Sequence, residues 1–227
     1  VTVSSQSLND IVAQFGVQRS QLQLIYNGID TEIFRPLPEI TRNPMRIMTT
    51  ASADQPLKGL RFLLQAVALL RPRYPELEVL VVGKLKAGGA TEQLLRELQL
   101  ENTVQFVSGI SNREMVEYYA TAGMVVCPSL YEGFGLPAGE AMACGVPVIS
   151  SDGGALPEVV GDAGIVVPAG DSGALSRAID RLLGNAELSK ALARKGRERI
   201  EQEFSWARAA QHLGNYYRRI IAQRSGV

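Results

Sequence analysis

The middle of this chain, where short apolar runs alternate with helical stretches, limits most what it can fold into. The runs are residues 45–50, 77–82, 103–108, 124–127, 148–150 and 164–168. Most are unbroken by polar residues, which suits strands covered on both faces of a parallel sheet. Between the first two, Leu63, Leu64, Val67 and Leu70 recur at helical spacing over residues 60–70. Residues 91–98 read as a second helix. Ser111 and Glu114 form a capping box for a third, running to Ala120. Strand–helix alternation predicts an α/β fold: a mostly parallel, Rossmann-like sheet with helices on both faces. From Ser172 the chain reads as helical, in segments 174–183 and 186–204 and a last helix to Ala222 capped by Ser205. At the other end, residues 1–7 read as a strand leading into a helix over 8–15, residues 22–26 as a short strand, and Asn27-Gly28-Ile29-Asp30 as a tight turn.

In such sheets ligands bind beyond the carboxyl ends of the strands, and one loop there stands out. After strand 124–127 comes Glu132-Gly133-Phe134-Gly135, then Leu136-Pro137, with Glu140 three residues on and Gly145 at the end. Pro137 suits a first helical turn and Gly145 a helix end. The glycine loop can offer bare backbone N–H groups, and the helix behind it points its positive end the same way, which makes an anion site. Glu132 stands in the loop and Glu140 is expected in the first helical turn, where an acidic residue also simply complements the dipole. Two carboxylates would repel a bare phosphate. They suit a ligand that donates hydroxyls as well, such as a sugar nucleotide.

Lys58 precedes Gly59 at the start of helix 60–70. A cation is disfavoured at a helix N-terminus unless an anion comes between, so Lys58 is either a phosphate ligand or a solvated surface lysine. Gly109-Ile110 and Asp152-Gly153-Gly154 lie on the same sheet edge. Lys84 and Lys86 read as part of a solvated loop. Lys+Arg and Asp+Glu number 23 each, which argues against a nucleic-acid partner held by bulk charge. No apolar run is long enough for a membrane-spanning helix. Cys127 and Cys144 lack metal-ligand spacing and read as buried thiols; the single His212 has no catalytic companions. No Gly-x-Gly-x-x-Gly follows the first strand, which speaks against a dinucleotide oxidoreductase.

The string Glu132, Phe134, Gly135, Leu136, Pro137 and Glu140 resembles the donor-site signature of the family-four retaining glycosyltransferases, where two glutamates lie eight positions apart around a Phe-Gly-Leu-Pro core. Asn-Gly-Ile-Asp followed by Phe34-x-Pro36 resembles the same family's entry to its second domain, and Lys58-Gly59 its basic diphosphate contact. The resemblance runs from Asn27 to the last helix. It implies the C-terminal, donor-binding half of a two-domain (GT-B) enzyme, with residues 1–227 a single domain of a longer chain, 1–38 an entry segment and linker, and 205–224 a helix crossing back to the missing acceptor-binding domain. It also implies a nucleotide-diphosphate sugar as donor substrate, no further cofactor and no metal. Its implied donor-binding residues are Lys58, Gly109, Ile110, Glu132, Gly133, Phe134, Gly135, Leu136 and Glu140, with Glu132 and Lys58 nearest the chemistry. The family's second basic contact, an arginine about five residues before the lysine, is replaced near Ala53. A non-catalytic nucleotide-sugar module is therefore an alternative reading, and a sugar-nucleotide epimerase of the same architecture a third. The resemblance implies a cytoplasmic protein. Arg208, Arg218, Arg219 and Arg224 read as a solvated face, with acidic lipid at the inner membrane face as the alternative partner.

Overall fold

The apolar runs form one sheet. In the computed structural model, which describes residues 1–51 and 55–225, six strands lie in parallel: β1 (Asn43–Thr50), β2 (Glu78–Val82), β3 (Val104–Val107), β4 (Ala122–Cys127), β5 (Val148–Ser151) and β6 (Ile165–Val167). Their order across the sheet is β3-β2-β1-β4-β5-β6. The chain reverses its direction of growth between β1 and β4, so the loops after those two strands meet at the carboxyl edge. Register is set by pairs such as Ile47 with Val79 and with Met124, and Val125 with Val148.

Parallel strands need crossovers, and helices supply them. Met48, Val125 and Val148 face one layer, built by α4 (Asn112–Thr121), α5 (Leu136–Ala143), α6 (Leu156–Val160) and α8 (Ala186–Glu203). Ile47, Met124, Val126 and Ile149 face the other, built by α2 (Leu60–Leu70), α3 (Ala90–Glu97) and α7 (Ser172–Leu183). Every residue of β4 is buried, as expected for a central strand covered on both faces. The Ser111–Glu114 capping box is present on α4. The first helix, α1 (Ser5–Phe15), and the last, α9 (Trp206–Ser225), complete the set; among the described residues, no helix is long and apolar enough to cross a membrane.

The sequence expectations need correction at both ends. Residues 1–7 are not a strand: only Thr2 bridges, to Leu24, and α1 already starts at Ser5 with Ser4 as its cap. Residues 22–26 likewise reduce to that one bridge, because the segment pairs with a single residue and lies outside the sheet. Asn27-Gly28-Ile29-Asp30 is not a turn. Ile29 runs extended and bridges to Ser205, donating to the Phe204 carbonyl at 2.7 Å and accepting from Trp206 N–H at 3.1 Å. Gly28 is needed for closeness rather than for turning, since a Cβ there would stand 2.6 Å from Trp206 Cα. The turn comes later, where Asp30 Oδ1 accepts from the N–H groups of Glu32 and Ile33. On α9, Tyr217 is 54% and Ile221 63% exposed, and Leu213, Tyr216 and Ile220 are half-buried.

Candidate functional site

The loop between β4 and α5 is held from four directions, so its backbone cannot drift. Leu130 N–H donates to the Leu57 carbonyl at 2.8 Å, tying it to the loop after β1. The Ser151 hydroxyl at the end of β5 donates to the Ser129 carbonyl. Ala155 N–H donates to the Glu132 carbonyl at 2.8 Å. From the other end of the chain, Ser4 Oγ lies 2.7 Å from the Gly133 carbonyl oxygen and donates to it. Gly154, at φ +65°, packs so close that a Cβ would meet the Glu132 backbone; only glycine satisfies both the left-handed conformation and that approach. Phe134 points inward and is 5% exposed, in an aromatic cluster with Tyr26 and Phe204 at 6.3 and 5.9 Å.

Behind this frame α5 begins. Gly135, at φ 102°, is its cap, and Pro137 sits in the first turn, where its missing N–H costs nothing. The opening N–H groups of a helix have no intrahelical acceptor, so the backbone at Phe134 to Leu136 presents donors and a positive helix end toward the sheet edge. Leu136 itself is 43% exposed.

The charged residues group about that end. Lys58 closes a single helical turn, Pro56–Lys58, ahead of Gly59 and α2. Its Nζ lies 2.6 Å from Glu132 Oε1, and Ser129 Oγ donates to the same oxygen at 3.0 Å. The cation that sequence reasoning found misplaced at a helix start thus has an anion beside it, supplied by the glycine loop. Glu140 is corrected in position: it is the fifth residue of α5, past the first turn, which contains no acidic residue. A carboxylate there gains little from the dipole, because the effect fades within one turn. Glu140 is instead held by α4. The hydroxyl of Tyr119, a fully buried side chain, donates to Glu140 Oε2 at 3.0 Å. Burial raises the Glu140 carboxyl above its ordinary 4.5, partly offset by the Tyr119 hydrogen bond.

Gly109 (φ 72°, exposed) and half-buried Ile110 follow β3 at the same edge. No hydrogen bond among the described residues ties them to the glycine loop. Ala53, the position of the replaced arginine, lies outside the described residues. Cys127 and Cys144 are free and buried, and burial pushes both thiols to about 12, so neither is a nucleophile. His212 is exposed on α9. A groove of about 350 Å³ lies between α2 and α3, but neither Glu132 nor Glu140 lines it. Four contacts escaped sequence reasoning: Ser4, Tyr119, Ser129 and Ser151. All four are common residue types whose partners lie on other segments or other turns, so no local pattern marks them.

Comparisons with known proteins bear on the family and the fold. The family described as glycosyl transferases group 1 matches residues 38–199. An MMP alpha-(1->4)-mannosyltransferase of Mycolicibacterium hassiacum is 43% identical over 227 residues, covering 98% of this chain and 54% of that protein. The chain spans about half the length of the curated relatives it matches. Among solved structures, sucrose-phosphate synthase from Thermosynechococcus elongatus superposes with a TM-score of 0.81 at 31% identity, over 98% of this chain and 58% of that one. The Anabaena protein Alr3699/HepE in complex with UDP and glucose superposes with a TM-score of 0.83 over 95% of this chain and 61% of that one; at 22% identity it bears on the fold alone.

Proposed function

The chain belongs to the glycosyl transferases group 1 family, and from that premise we propose that it is the donor-binding half of a retaining glycosyltransferase. The observation that carries the reading is the Lys58–Glu132 pair, 2.6 Å apart, set beside the N-terminal end of α5 with Glu140 further along the same helix. A nucleotide-diphosphate sugar has three parts, and the site has a matching group for each.

The diphosphate meets the backbone donors at Phe134 to Leu136 and the positive end of α5. Lys58 turns from Glu132 to the phosphate and neutralises the charge that grows there as the sugar leaves, an electrostatic contribution to the transition state. Glu132, released from Lys58, accepts from a hydroxyl of the transferred sugar. Glu140 accepts from the ribose, and Gly109-Ile110 border the base. The two glutamates are not a glycosidase pair, because such a pair must flank one glycosidic bond and these grip opposite ends of the donor. The acceptor site belongs to the part of the relatives that this chain does not span. The 43%-identical relative is named for mannosyl transfer, which supports sugar transfer as the chemistry, and the base and the sugar are read by experiment.

A binding module without catalysis is the second reading, favoured by the replacement of the family's arginine near Ala53. One experiment separates the readings. Calorimetry with UDP, GDP and ADP and their common sugars should find one nucleotide that binds this chain and binds Glu140→Ala more weakly. The longer protein should then transfer sugar from that donor with the anomeric configuration kept. Binding without transfer supports the module, and inversion refutes the retaining mechanism.

A further inference from the structure

Glu140 owes its orientation to a residue on another helix. Tyr119 lies near the end of α4, fully buried, with its ring edge-on to Phe34 at 6.3 Å. A phenylalanine would fill the same space. What tyrosine adds is one hydroxyl, and a buried hydroxyl needs a partner. Two acceptors are in reach: the Pro137 carbonyl at 3.4 Å and Glu140 Oε2 at 3.0 Å. The phenol has one proton, and the shorter contact to a charged oxygen is the stronger. Desolvation, and next the nearby charge of Glu140, hold the Tyr119 phenol well above its usual range, so it remains a donor at any working pH. Among the described residues no donor reaches the other oxygen, Glu140 Oε1.

The carboxylate is thus divided. One oxygen is fixed to the core through α4, and the other is left on a half-buried side chain one turn behind the glycine loop. A free glutamate on a helix samples several rotamers and would have to lose that freedom on binding. A pinned one does not, and it also aims its accepting oxygen.

We infer that Tyr119 is the positioning residue that makes Glu140 a reader of ribose, by holding Oε2 so that Oε1 accepts from a ribose hydroxyl of the nucleotide. This rests on the reading of Glu140 given under Proposed function. The chemistry selected is a ribonucleotide over its deoxy form, because a deoxy sugar would leave Oε1 half-buried and unmatched.

The test is calorimetry of UDP and GDP beside their 2′-deoxy and 3′-deoxy forms, scored by the larger loss, on this chain and on Tyr119→Phe, Glu140→Gln and the double variant. Thermal unfolding checks that each variant folds. The starting chain should prefer the ribonucleotide about tenfold, which is ~1.4 kcal/mol. Tyr119→Phe should cut that preference to about threefold or less, although it touches no ligand atom, and the double variant should lose no more than Glu140→Gln alone. If Tyr119→Phe does not fold, Tyr119→Met takes its place: it also lacks the hydroxyl and leaves Glu140 itself intact, and the same loss is expected. A full preference kept in the folded Tyr119→Phe or Tyr119→Met chain overturns the inference, and so do losses that add in the double variant. Failure of the underlying reading looks different: no nucleotide binds, or Glu140→Gln leaves the preference untouched, and the inference falls with it.

Discussion

Glu132→Gln should move a bare nucleotide and a sugar nucleotide in opposite directions. In the free chain Lys58 Nζ and Glu132 Oε1 are 2.6 Å apart, with the side chains 32% and 16% exposed. At that separation Coulomb's law gives about 1.6 kcal/mol in water and about 6 kcal/mol at an effective dielectric of ~20. Lys58 is nearly one-third exposed, and both charges lose hydration on pairing, so the usable part is about 1–2 kcal/mol. A phosphate that recruits Lys58 must break this attraction and then sit beside the Glu132 charge. Replacing that charge by a neutral group of the same shape should tighten UDP or GDP, whichever the chain binds, by about fivefold to tenfold, or ~1–1.4 kcal/mol. The extra affinity that the attached sugar confers should disappear, because a hydrogen bond to a charged acceptor of about 1.5–3 kcal/mol is lost. Calorimetry at low and at physiological salt reads both numbers, and added salt should shrink the first effect. Equal weakening of both ligands, or unchanged affinity for the bare nucleotide, would refute the idea that Lys58 is shared between Glu132 and a phosphate.

Three further outcomes are expected. Gly154→Ala forces a side chain into the left-handed region and against the Glu132 backbone; it should cost at least ~1–2 kcal/mol of stability, and nucleotide binding measured well below the unfolding temperature should drop as well. Unchanged binding would show that Gly154 does not shape the loop. Phe204→Ala empties a site that is 2% exposed and packed on Tyr26 and Phe134, so denaturant unfolding should show a loss of about 3–5 kcal/mol; a loss under ~1 kcal/mol would mean the wall collapses onto the gap. The Glu140 carboxyl is raised above its usual 4.5 chiefly by burial, so the folded chain holds that proton more firmly than the unfolded chain. Its stabilising contribution is complete below 4.5 and is lost as pH rises through the folded value. Nucleotide binding, which needs the carboxylate, should follow the opposite course and weaken as pH falls through that window. Glu140→Gln should flatten both profiles, and an unchanged binding profile in that variant would assign the titration to another group.

How far the sequence was readable depended on the range of each interaction. The strands β1 to β6 and the helices α2 to α5, α7 and α8 were legible to within about two residues, because hydrophobic period and capping residues are local signals. Pro137 and Gly145 bracketed α5 correctly for the same reason. The bridges of Thr2 with Leu24 and of Ile29 with Ser205 were not legible as such, since each joins segments far apart in the chain. Asn27-Gly28 has the composition of a turn, but its glycine answers to Trp206, some 180 residues later in the chain. Glu140 falls one residue past the first turn because α5 opens at Leu136, directly behind its cap Gly135, one residue ahead of Pro137.

By itself the sequence determined the class of fold, the edge of the sheet where a ligand would lie, and the residue types there: a lysine, two glutamates and a glycine loop ahead of a helix. Spacing and periodicity carry that much, because each depends on neighbours within a turn or a strand. Only the tertiary structure decided how those residues are paired. It joined Lys58 to Glu132 across 74 residues of chain and Glu140 to Tyr119 across 21, and it bound the loop to Ser4, 129 residues earlier in the chain. The physical reason is that a charge or a buried hydroxyl answers to whatever stands within about 3 Å of it, and the sheet order β2-β1-β4-β5, not nearness in the chain, settles what that is.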